Sequence, residues 1–375
     1  MLRRLLPRLA LAVLGLMCAL LLLEGGVRLW FSARGSEQEK AMYLYDARTV
    51  DAKTYKFAGV PFLNYTLNPN YEGVNDRGIR GPKVDVPKPK GNFRILALGG
   101  STTYGDGLTA REAWPFRLQI LLRDKYGYNV QVVNLGVPMY TSLHSIITLQ
   151  TRGLALEPDL VIDYDGVNDA WVRIYEDPQC YSGDTPLFGF GTDRGIWQST
   201  TRRELPASAL YRLLAIRLGS MDNPINLKNR VARTGYCPPE GVDGSKFSDR
   251  REHNPPIYFE RNLKTTAAIA QANNAKSLFL TFAWDTDAEH KALAADPTLD
   301  GARALLDAID EQNVLVKQIA RDTDSLFLDL AAAMAVNDTG FAWFQDDHVH
   351  HTPVGAERQA EIIAAYLDRM GVIPK

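Results

Sequence analysis

The stretch that decides the fold is Arg94-Ile95-Leu96-Ala97-Leu98-Gly99-Gly100-Ser101-Thr102-Thr103. Residues 94–98 form a short apolar run that ends in two glycines, which is typical of a strand buried on both faces. Such strands belong to parallel sheets that helices cover on both sides. The stretch therefore predicts the first strand of an α/β domain, with Ser101 at its carboxyl end.

Outward from this strand, further apolar runs alternate with helical patterns. The predicted strands are residues 130–135, 160–164, 278–282 and 326–330, and the predicted helices are residues 111–126, 142–155, 259–273, 301–321 and 353–369. This alternation predicts a three-layer α/β/α sandwich with a mostly parallel five-stranded sheet over residues 93–375. Residues 172–258 are rich in proline, glycine and charge, and they predict an insertion in this domain.

Composition and charge exclude several classes of protein. The 375 residues are 46% hydrophobic and 23% charged, with a formal net charge of −2. These averages are those of a globular chain and exclude a disordered, a collagen-like or a polytopic membrane protein. No basic excess points to nucleic acid as a partner.

The N-terminal segment departs from this average. Three arginines, Arg3, Arg4 and Arg8, precede an uncharged run from Leu9 to Leu23, which would be roughly 22 Å long as a helix. Extension to Phe31 gives enough length to span a membrane. Glu24 and Arg28 would then snorkel to the interface, where Trp30 would also lie. Residues 1–31 therefore predict an uncleaved single-pass anchor in the cytoplasmic membrane, with the rest of the chain on the periplasmic side.

Two other interpretations of this segment stay open. One is a signal peptide that is cleaved, so that the protein is secreted. The only small-x-small site nearby, Ala33-Arg34-Gly35, is poor and distant from the apolar run. The other is a buried helix of a soluble protein. Residues 32–92 are polar and aromatic with several turn signals, and they predict a stalk that packs back on the main domain.

The three cysteines agree with an exported protein. Cys18 lies in the apolar run, whereas Cys180 and Cys237 both fall in the predicted insertion. In an oxidising compartment these two predict a disulfide. The alternative is two free thiols in loops, and two cysteines alone make a poor zinc site.

Chemistry-bearing residues follow the predicted strands. Ser101 follows the first strand, Gly136 the second, and Asn168 the third; an Asp347-x-x-His350 pair follows the last. Because sites form at the carboxyl ends of parallel strands, these residues should meet at one edge of the sheet. A serine, a base with a nearby carboxylate, and hydrogen-bond donors are what acyl transfer requires.

These segments resemble the SGNH/GDSL hydrolase family over residues 93–370. Gly-Gly-Ser101-Thr stands where the family has Gly-Asp-Ser, so Gly100 replaces the usual aspartate. Gly136, Gly166-x-Asn168-Asp169, and Asp347-x-x-His350 with Gly355 match the other three motifs, in the family's order. The upstream stretch Asn75-x-x-Gly78-x-Arg80-Gly81 resembles a membrane-anchored bacterial subset of the family.

The resemblance implies a flavodoxin-like fold and a role for each matched residue. Ser101 would be the nucleophile, His350 the base, and Asp347 the carboxylate that orients the imidazole. The oxyanion hole would consist of the backbone N–H groups of Ser101 and Gly136 and the side-chain amide of Asn168.

Each of these residues also has a purely structural interpretation. Ser101 could cap a helix, Gly136 could serve a turn, and Asn168 could form an Asx turn. Asp169 is interpreted as structural, since Asp347 already supplies the carboxylate. His348 and His351 are interpreted as solvated loop residues. A metal cluster of His348, His350 and His351 is a weaker alternative, because adjacent side chains converge poorly on one ion. No nucleotide-binding motif is present, and no cofactor or metal is expected.

Three functions compete at this point. The leading one is a serine esterase that removes an acyl group, such as acetyl, from a cell-envelope glycan or lipid. The second is an O-acyltransferase in which a sugar hydroxyl replaces water as the acceptor. The third is a non-catalytic glycan-binding or assembly protein, against which the complete set of Ser101, Asp347 and His350 argues.

The insertion follows Asn168 directly and is predicted to form a lid or wall over the site. It has Trp171 at its edge and is rich in aromatic residues, namely Tyr175, Tyr181, Phe188, Phe190, Trp197 and Tyr236. They suit a sugar face or an acyl chain, and the alternative is that they pack the insertion's own small core.

Overall fold

The computed structural model describes residues 2–35, 39–40, 43–44, 56–60, 62–127, 129–175, 181, 208–220, 247–296, 298–335 and 342–374. Cys180 and Cys237 lie outside these residues, so their disulfide stays a prediction. Phe188, Phe190, Trp197 and Tyr236 of the predicted lid also lie outside them.

Helices and strands alternate through most of the described chain. In chain order the elements are α1 (Leu2–Arg34), β1 (Phe57–Val60), β2 (Leu63–Leu67), β3 (Phe93–Gly99), α2 (Ser101–Tyr104), α3 (Trp114–Tyr126), β4 (Val130–Asn134), α4 (Ser142–Thr148), β5 (Leu160–Tyr164), α5 (Val167–Tyr175), α6 (Ala209–Arg217), α7 (Phe247–His253), α8 (Ile257–Ala272), β6 (Lys276–Leu280), α9 (Thr286–Ala295), α10 (Asp300–Asp322), β7 (Leu326–Leu328), α11 (Leu330–Ala335) and α12 (Pro353–Arg369).

The main sheet confirms the predicted architecture. Its five strands have the order β4-β3-β5-β6-β7, and every neighbouring pair is parallel. The chain first adds β4 on one side of β3 and then crosses to add β5 on the other side. In doubly wound sheets the crevice at such a reversal is where ligands bind, and here it lies at the carboxyl ends of β3 and β5.

The strands are buried on both faces, as the apolar runs indicate. In β3, Ile95 and Ala97 belong to one hydrophobic cluster, whereas Leu96 and Leu98 belong to a second cluster on the opposite face. Successive side chains of a strand point to opposite sides of the sheet. Helices α3, α10 and α12 cover the first face and α8 contributes to the second, which gives the three layers.

The described part of residues 56–92 packs against this domain. Strands β1 and β2 form an antiparallel hairpin, and Tyr140 donates from its hydroxyl to the Tyr65 carbonyl at 2.5 Å. Ile79 and Val84 join the second hydrophobic cluster. Arg80 also forms an isolated antiparallel bridge with Asn134, at the end of β4. This segment therefore contacts the edge of the sheet where the predicted site residues lie.

Only the first part of the predicted helix 142–155 is an α-helix. The α-helix ends at Thr148, and the chain continues as a π turn over Leu149–Gly153 and a 3₁₀ turn over Leu154–Leu156. The Thr151 hydroxyl donates to the Ile147 carbonyl at 2.5 Å. A hydroxyl that bonds back to the preceding turn competes with the helix ladder, and such competition bends helices.

Helix α1 is the apolar segment that the sequence predicts. From Pro7 to Arg34 it contains an 18-residue window of mean hydropathy 2.2, and none of that window is buried inside the structure. By length and composition it could cross a membrane or serve as a signal sequence. Its second half contacts α6, which belongs to the predicted insertion.

Candidate active site

Ser101 is the first residue of α2 and directly follows β3 and Gly100. Only 6% of its surface is exposed, and all four residues of α2 are buried. Its carbonyl accepts the N–H groups of Gly105 at 2.9 Å and Asp106 at 3.0 Å. The N–H of a first helical residue has no acceptor within its own helix, so the Ser101 N–H remains a donor at the carboxyl end of β3.

Asp347 and His350 form a hydrogen-bonded pair in the loop before α12. The distance from Asp347 Oδ2 to the ring Nδ1 of His350 is 2.6 Å. The other oxygen, Oδ1, accepts the backbone N–H groups of His350 at 2.9 Å and Val349 at 3.1 Å. Partial burial raises the pKa of the Asp347 carboxyl, but these hydrogen bonds outweigh it and hold that pKa below its ordinary value. The carboxylate therefore stays ionised beside the imidazole.

The second ring nitrogen of His350, Nε2, is available to accept a proton. Nε2 is buried, and no hydrogen-bond partner for it exists among the described residues. A hydrogen bond from Nδ1–H to a carboxylate selects the tautomer in which Nε2 carries a lone pair. Such a nitrogen can take a proton from a hydroxyl group brought next to it.

Gln345 joins the His350 loop to the loop that follows α2. Its Nε2 donates to the Asp106 carbonyl at 3.0 Å and to the His351 carbonyl at 2.7 Å. Its backbone N–H donates to the His350 carbonyl at 2.7 Å. Gln345 could not be found from the sequence, because it belongs to no motif and its contact with Asp106 crosses 239 positions of the chain.

Gly100 and Asn168 are in close contact. The Asn168 amide donates to the Tyr140 carbonyl at 2.7 Å. A Cβ added at Gly100 would lie 2.6 Å from Asn168 Nδ2 and 3.2 Å from the same carbonyl oxygen. A side chain at position 100 would therefore displace the amide from the position that it takes here.

Gly136 lies against the backbone of α2. A Cβ at this position would lie 2.4 Å from the Tyr104 nitrogen and 2.7 Å from the Thr103 carbonyl carbon. Its N–H donates to Asn134 Oδ1 at 2.9 Å, and Asn134 Nδ2 donates to the Thr103 carbonyl at 2.8 Å. The predicted oxyanion donor is thus already paired in the structure, and a substrate oxygen would have to take the place of Asn134.

The upstream motif that contains Asn75 and Arg80 contacts α2 and the loop that follows it. Asn75 Oδ1 accepts the N–H groups of Arg77 at 2.9 Å and Ile79 at 3.1 Å, which shapes the turn that delivers Arg80. The Arg80 guanidinium lies 4.3 Å from the centre of the Tyr104 ring and donates to the Leu108 carbonyl at 2.7 Å. It therefore contacts both the end of α2 and the loop that follows it.

Three buried carboxyl groups belong to the segment from β5 to the start of α5, namely Asp163, Asp165 and Asp169. Asp169 accepts the N–H of Ser142 at 3.0 Å and its hydroxyl at 2.5 Å. Burial raises the pKa of Asp169 to about 7 and that of Asp163 to about 6. Burial, reinforced by Asp163, also raises the pKa of Asp165. Asp169 connects the start of α5 to the start of α4, as its structural interpretation implies.

The interpretation of His351 as a solvated loop residue is wrong. His351 is only 3% exposed and packs on Phe344 with a ring distance of 5.1 Å. Burial lowers its pKa to about 3, so it is a neutral core residue. His348 is part-exposed, with Nδ1 3.6 Å from Asp285 Oδ2. Among the described residues, no group of histidine, cysteine and acidic side chains is arranged to hold a metal ion.

Comparison with known proteins places the site in a family context. The profile of the GDSL-like Lipase/Acylhydrolase family matches residues 97–358, a range that contains all the predicted site residues. No curated protein matches the chain.

Solved structures similar to this chain include three proteins of low sequence identity. TesA has 16% sequence identity and a TM-score of 0.42, with 74% of this chain and 99% of that chain covered. Axe2, an acetylxylan esterase from Geobacillus stearothermophilus, has 17% identity and a TM-score of 0.42, with 75% and 96% covered. LAE5, an alpha/beta hydrolase from the metagenome of Lake Arreo, has 17% identity and a TM-score of 0.41, with 76% and 97% covered.

Proposed function

The chain belongs to the GDSL-like lipase/acylhydrolase family and is an ester-hydrolysing enzyme, and we propose that it works as a serine esterase through Ser101, His350 and Asp347. The observation that carries this proposal is the Asp347–His350 pair. One ring nitrogen is held at 2.6 Å by a carboxylate, and the other is buried and unpaired among the described residues. That arrangement suits a base that waits for a hydroxyl group.

The reaction has two halves with the same residues. In the first, His350 Nε2 takes the proton of Ser101 Oγ while Oγ bonds to the ester carbonyl carbon, and the carbonyl electron pair moves to oxygen. Collapse of this intermediate breaks the ester bond, and the Nε2–H proton passes to the leaving alkoxide. In the second half a water molecule replaces Ser101 as nucleophile, and the acid is released with Ser101 restored.

The developing oxyanion needs donors at the carboxyl edge of the sheet. The Ser101 N–H and the second N–H of the Asn168 amide are suited to it, since the first N–H of that amide is held by the Tyr140 carbonyl. The Gly136 N–H becomes a third donor if the substrate oxygen displaces Asn134 Oδ1. Each such donor is worth about 10²–10³ in rate.

The proposed substrate is an acyl ester, with acetyl as the first group to test, on a cell-envelope glycan or lipid. Helix α1 supports this choice, because a membrane anchor would hold the domain at the outer face of the cytoplasmic membrane. The arginines before the apolar run favour that orientation. The net charge of −2 gives no reason to expect a polyanionic partner.

The test is hydrolysis of p-nitrophenyl acetate by the full chain and by Ser101→Ala, combined with mass spectrometry after treatment with a fluorophosphonate. We expect a covalent adduct on Ser101 and loss of hydrolysis in the variant. Ser325→Ala, a serine at the other end of the sheet before β7, should behave as the wild type. Absence of hydrolysis and of labelling would contradict the proposal and leave a non-catalytic role. A sugar acceptor added to the same assay separates the esterase from an O-acyltransferase, because transfer in excess of hydrolysis would favour the latter.

A further inference from the structure

The carboxylate of Glu24 does not snorkel away from the apolar helix α1. It accepts hydrogen bonds from the backbone N–H groups of Ala209 at 2.9 Å and Leu210 at 2.8 Å. The Ser208 hydroxyl donates to it at 2.8 Å, and Arg28 pairs with it at 2.6 Å. Glu24 therefore caps the start of α6, and its charge is satisfied at a depth where an unpaired carboxylate would be costly.

Helix α6 lies along the second half of α1. Leu213 and Ile216 on one face of α6 pack with Val27 and Phe31 of α1. Phe31 in turn stacks on Tyr43, with ring centres 4.4 Å apart. The contact combines a polar cap at one end with apolar packing at the other, so it fixes both the position and the direction of α6.

The opposite face of α6 is apolar, and no residue in the described part of the chain covers it. Tyr211, Leu214 and Leu218 are 56%, 50% and 79% exposed. Their spacing of three and four residues places them on one stripe of the helix. Leu20 and Leu21 of α1, which are 48% and 69% exposed, line the same groove as Tyr211 and Leu214. The two helices thus present a mostly apolar surface, and Glu24, Arg28 and Ser208 are the polar residues in its groove.

The depth of this surface follows from the length of α1. The 28 residues from Pro7 to Arg34 give a helix of about 42 Å, which exceeds a hydrocarbon core of about 30 Å. A span that begins at Arg8 would leave the hydrocarbon near Arg28. Trp30, with the Arg34 guanidinium 5.0 Å from its ring, then lies at headgroup level, as aromatic and basic residues do. Residues 20–31, which α6 accompanies, therefore straddle the boundary between hydrocarbon and headgroups.

We propose that α6 is a second membrane-contacting element, which lies against the outer end of the anchor with Tyr211, Leu214 and Leu218 in the lipid interface. The occupant is lipid because the stripe continues the lipid-facing surface of α1 at the same depth. The proposal rests on the anchor proposed above, and it also requires that α1 stays in the mature protein. Cleavage at Ala33-Arg34-Gly35 would remove the cap of α6 and the residues Val27 and Phe31 on which it packs.

This arrangement gives part of the insertion a defined location. Helix α6 belongs to the 172–258 insertion that follows Asn168 and α5. With α6 held in the interface, residues 208–220 of the insertion stay at the membrane surface. A membrane-embedded acyl donor or a glycan tethered to the envelope fits such a location.

The test is photolabelling of the unmodified full chain in vesicles of phosphatidylethanolamine and phosphatidylglycerol that contain a phospholipid with a diazirine on its acyl chain. Mass spectrometry of the peptides then maps the adducts. We expect adducts on residues 9–23 and also on residues 209–218. Val314, which is 71% exposed on α10, is the control for an apolar residue away from the membrane and should stay unlabelled.

Two results would overturn the proposal in distinguishable ways. Adducts on residues 9–23 with none on residues 209–218 would leave the anchor in place and refute the contact of α6 with lipid, as expected if a protein covers that face. No adducts on either segment would refute the anchor as well, while hydrolysis of p-nitrophenyl acetate would still report on the esterase.

The variant Leu214→Glu tests which face of α6 contacts lipid. Leu214→Glu places a charge on the exposed stripe of α6 and should reduce the labelling of residues 209–218 to the level of Val314. Labelling of residues 9–23 and hydrolysis of the soluble ester should be unchanged. Val314→Glu makes the same change on α10 and should affect neither segment. Undiminished labelling of residues 209–218 in Leu214→Glu would contradict the assigned orientation of the helix.

Discussion

Asp347 binds His350 through both of its carboxylate oxygens. Oδ2 lies 2.6 Å from the ring Nδ1, and Oδ1 accepts the backbone N–H of the same residue at 2.9 Å. The pair is therefore a local unit, in which one turn of chain fixes both the position and the tautomer of the imidazole. The proposed nucleophile, Ser101, is almost 250 positions away in the sequence, so its alignment with His350 would depend on contacts between loops.

Asp347→Asn should lower kcat for p-nitrophenyl acetate by about 10⁴-fold. The asparagine oxygen can still accept the backbone N–H of His350, but its amide would donate to Nδ1 and select the tautomer with a proton on Nε2. That nitrogen could no longer act as the base. Circular dichroism should show an unchanged fold, and a kcat within a few-fold of the wild type would contradict the role given to Asp347.

Gly100→Ala should prevent Asn168 from acting as a donor, although Asn168 itself is not substituted. The new Cβ would lie 2.6 Å from Nδ2 and push the amide from its place, so kcat should fall toward the value of Asn168→Ala, about 10²–10³ below the wild type. The double variant should be no worse than Asn168→Ala alone, because both changes remove the same donor. Losses that multiply in the double variant would show that Gly100 acts on something else.

Gln345→Ala should lower kcat, whereas the free energy of unfolding should change little. The variant loses the hydrogen bonds to the Asp106 and His351 carbonyls that join the two loops of the site. A small misplacement of His350 can cost up to about 10²-fold in rate. Gln271→Ala, on the exposed end of α8, is the control for loss of a glutamine side chain. Equal kcat values in the two variants would contradict the aligning role of Gln345.

Arg94→Met should destabilise the domain. Arg94 is fully buried and donates to the Leu156 carbonyl at 2.5 Å, to the Asp85 carbonyl at 2.8 Å and to Gln131 Oε1 at 2.8 Å. Each buried acceptor left without a donor costs about 1–3 kcal/mol. Denaturant unfolding should show this loss, whereas Arg358→Met, which breaks an exposed pair with Glu361, should cost less than about 1 kcal/mol.

Acidification should destabilise the fold through His351. Burial lowers its pKa to about 3, whereas an unfolded histidine has a pKa of about 6.5. The stability that comes from keeping this ring neutral is fully present above pH 6.5 and is lost as the pH falls from 6.5 toward 3. Relative to His351→Gln, the wild type should lose up to about 1.4 kcal/mol per pH unit in that window.

Unfolding of both proteins by urea between pH 7 and 4 measures this difference. His253→Gln makes the same substitution at an exposed position of α7 and corrects for effects unrelated to burial. A pH-independent difference between the wild type and His351→Gln would show that His351 does not lose its proton on folding.

The sequence predicted the layers of the fold because their signals are local. Short runs rich in apolar residues predicted β3, β4 and β5, and the period of helices predicted α3, α10 and α12 to within three residues. Local side-chain hydrogen bonds also explain two element ends that were predicted wrongly. Thr151 ends the regular part of the helix expected over 142–155, and the strand expected to reach Leu330 ends at Leu328 because Asp329 accepts the Ala332 N–H, at 3.2 Å, at the start of α11.

By itself the sequence determined what lies at the end of each strand, including Ser101, Asn168 and the Asp347–His350 turn, since these depend on neighbours along the chain. Only the tertiary structure decided which atoms meet. Packing of the layers places the Asn168 amide against Gly100, buries His351 under Phe344, and pairs the Gly136 N–H with Asn134. It also brings Gln345 to Asp106 and Glu24 to the start of α6. Such contacts are made between segments far apart in the chain, and no local period or motif encodes the distance between them.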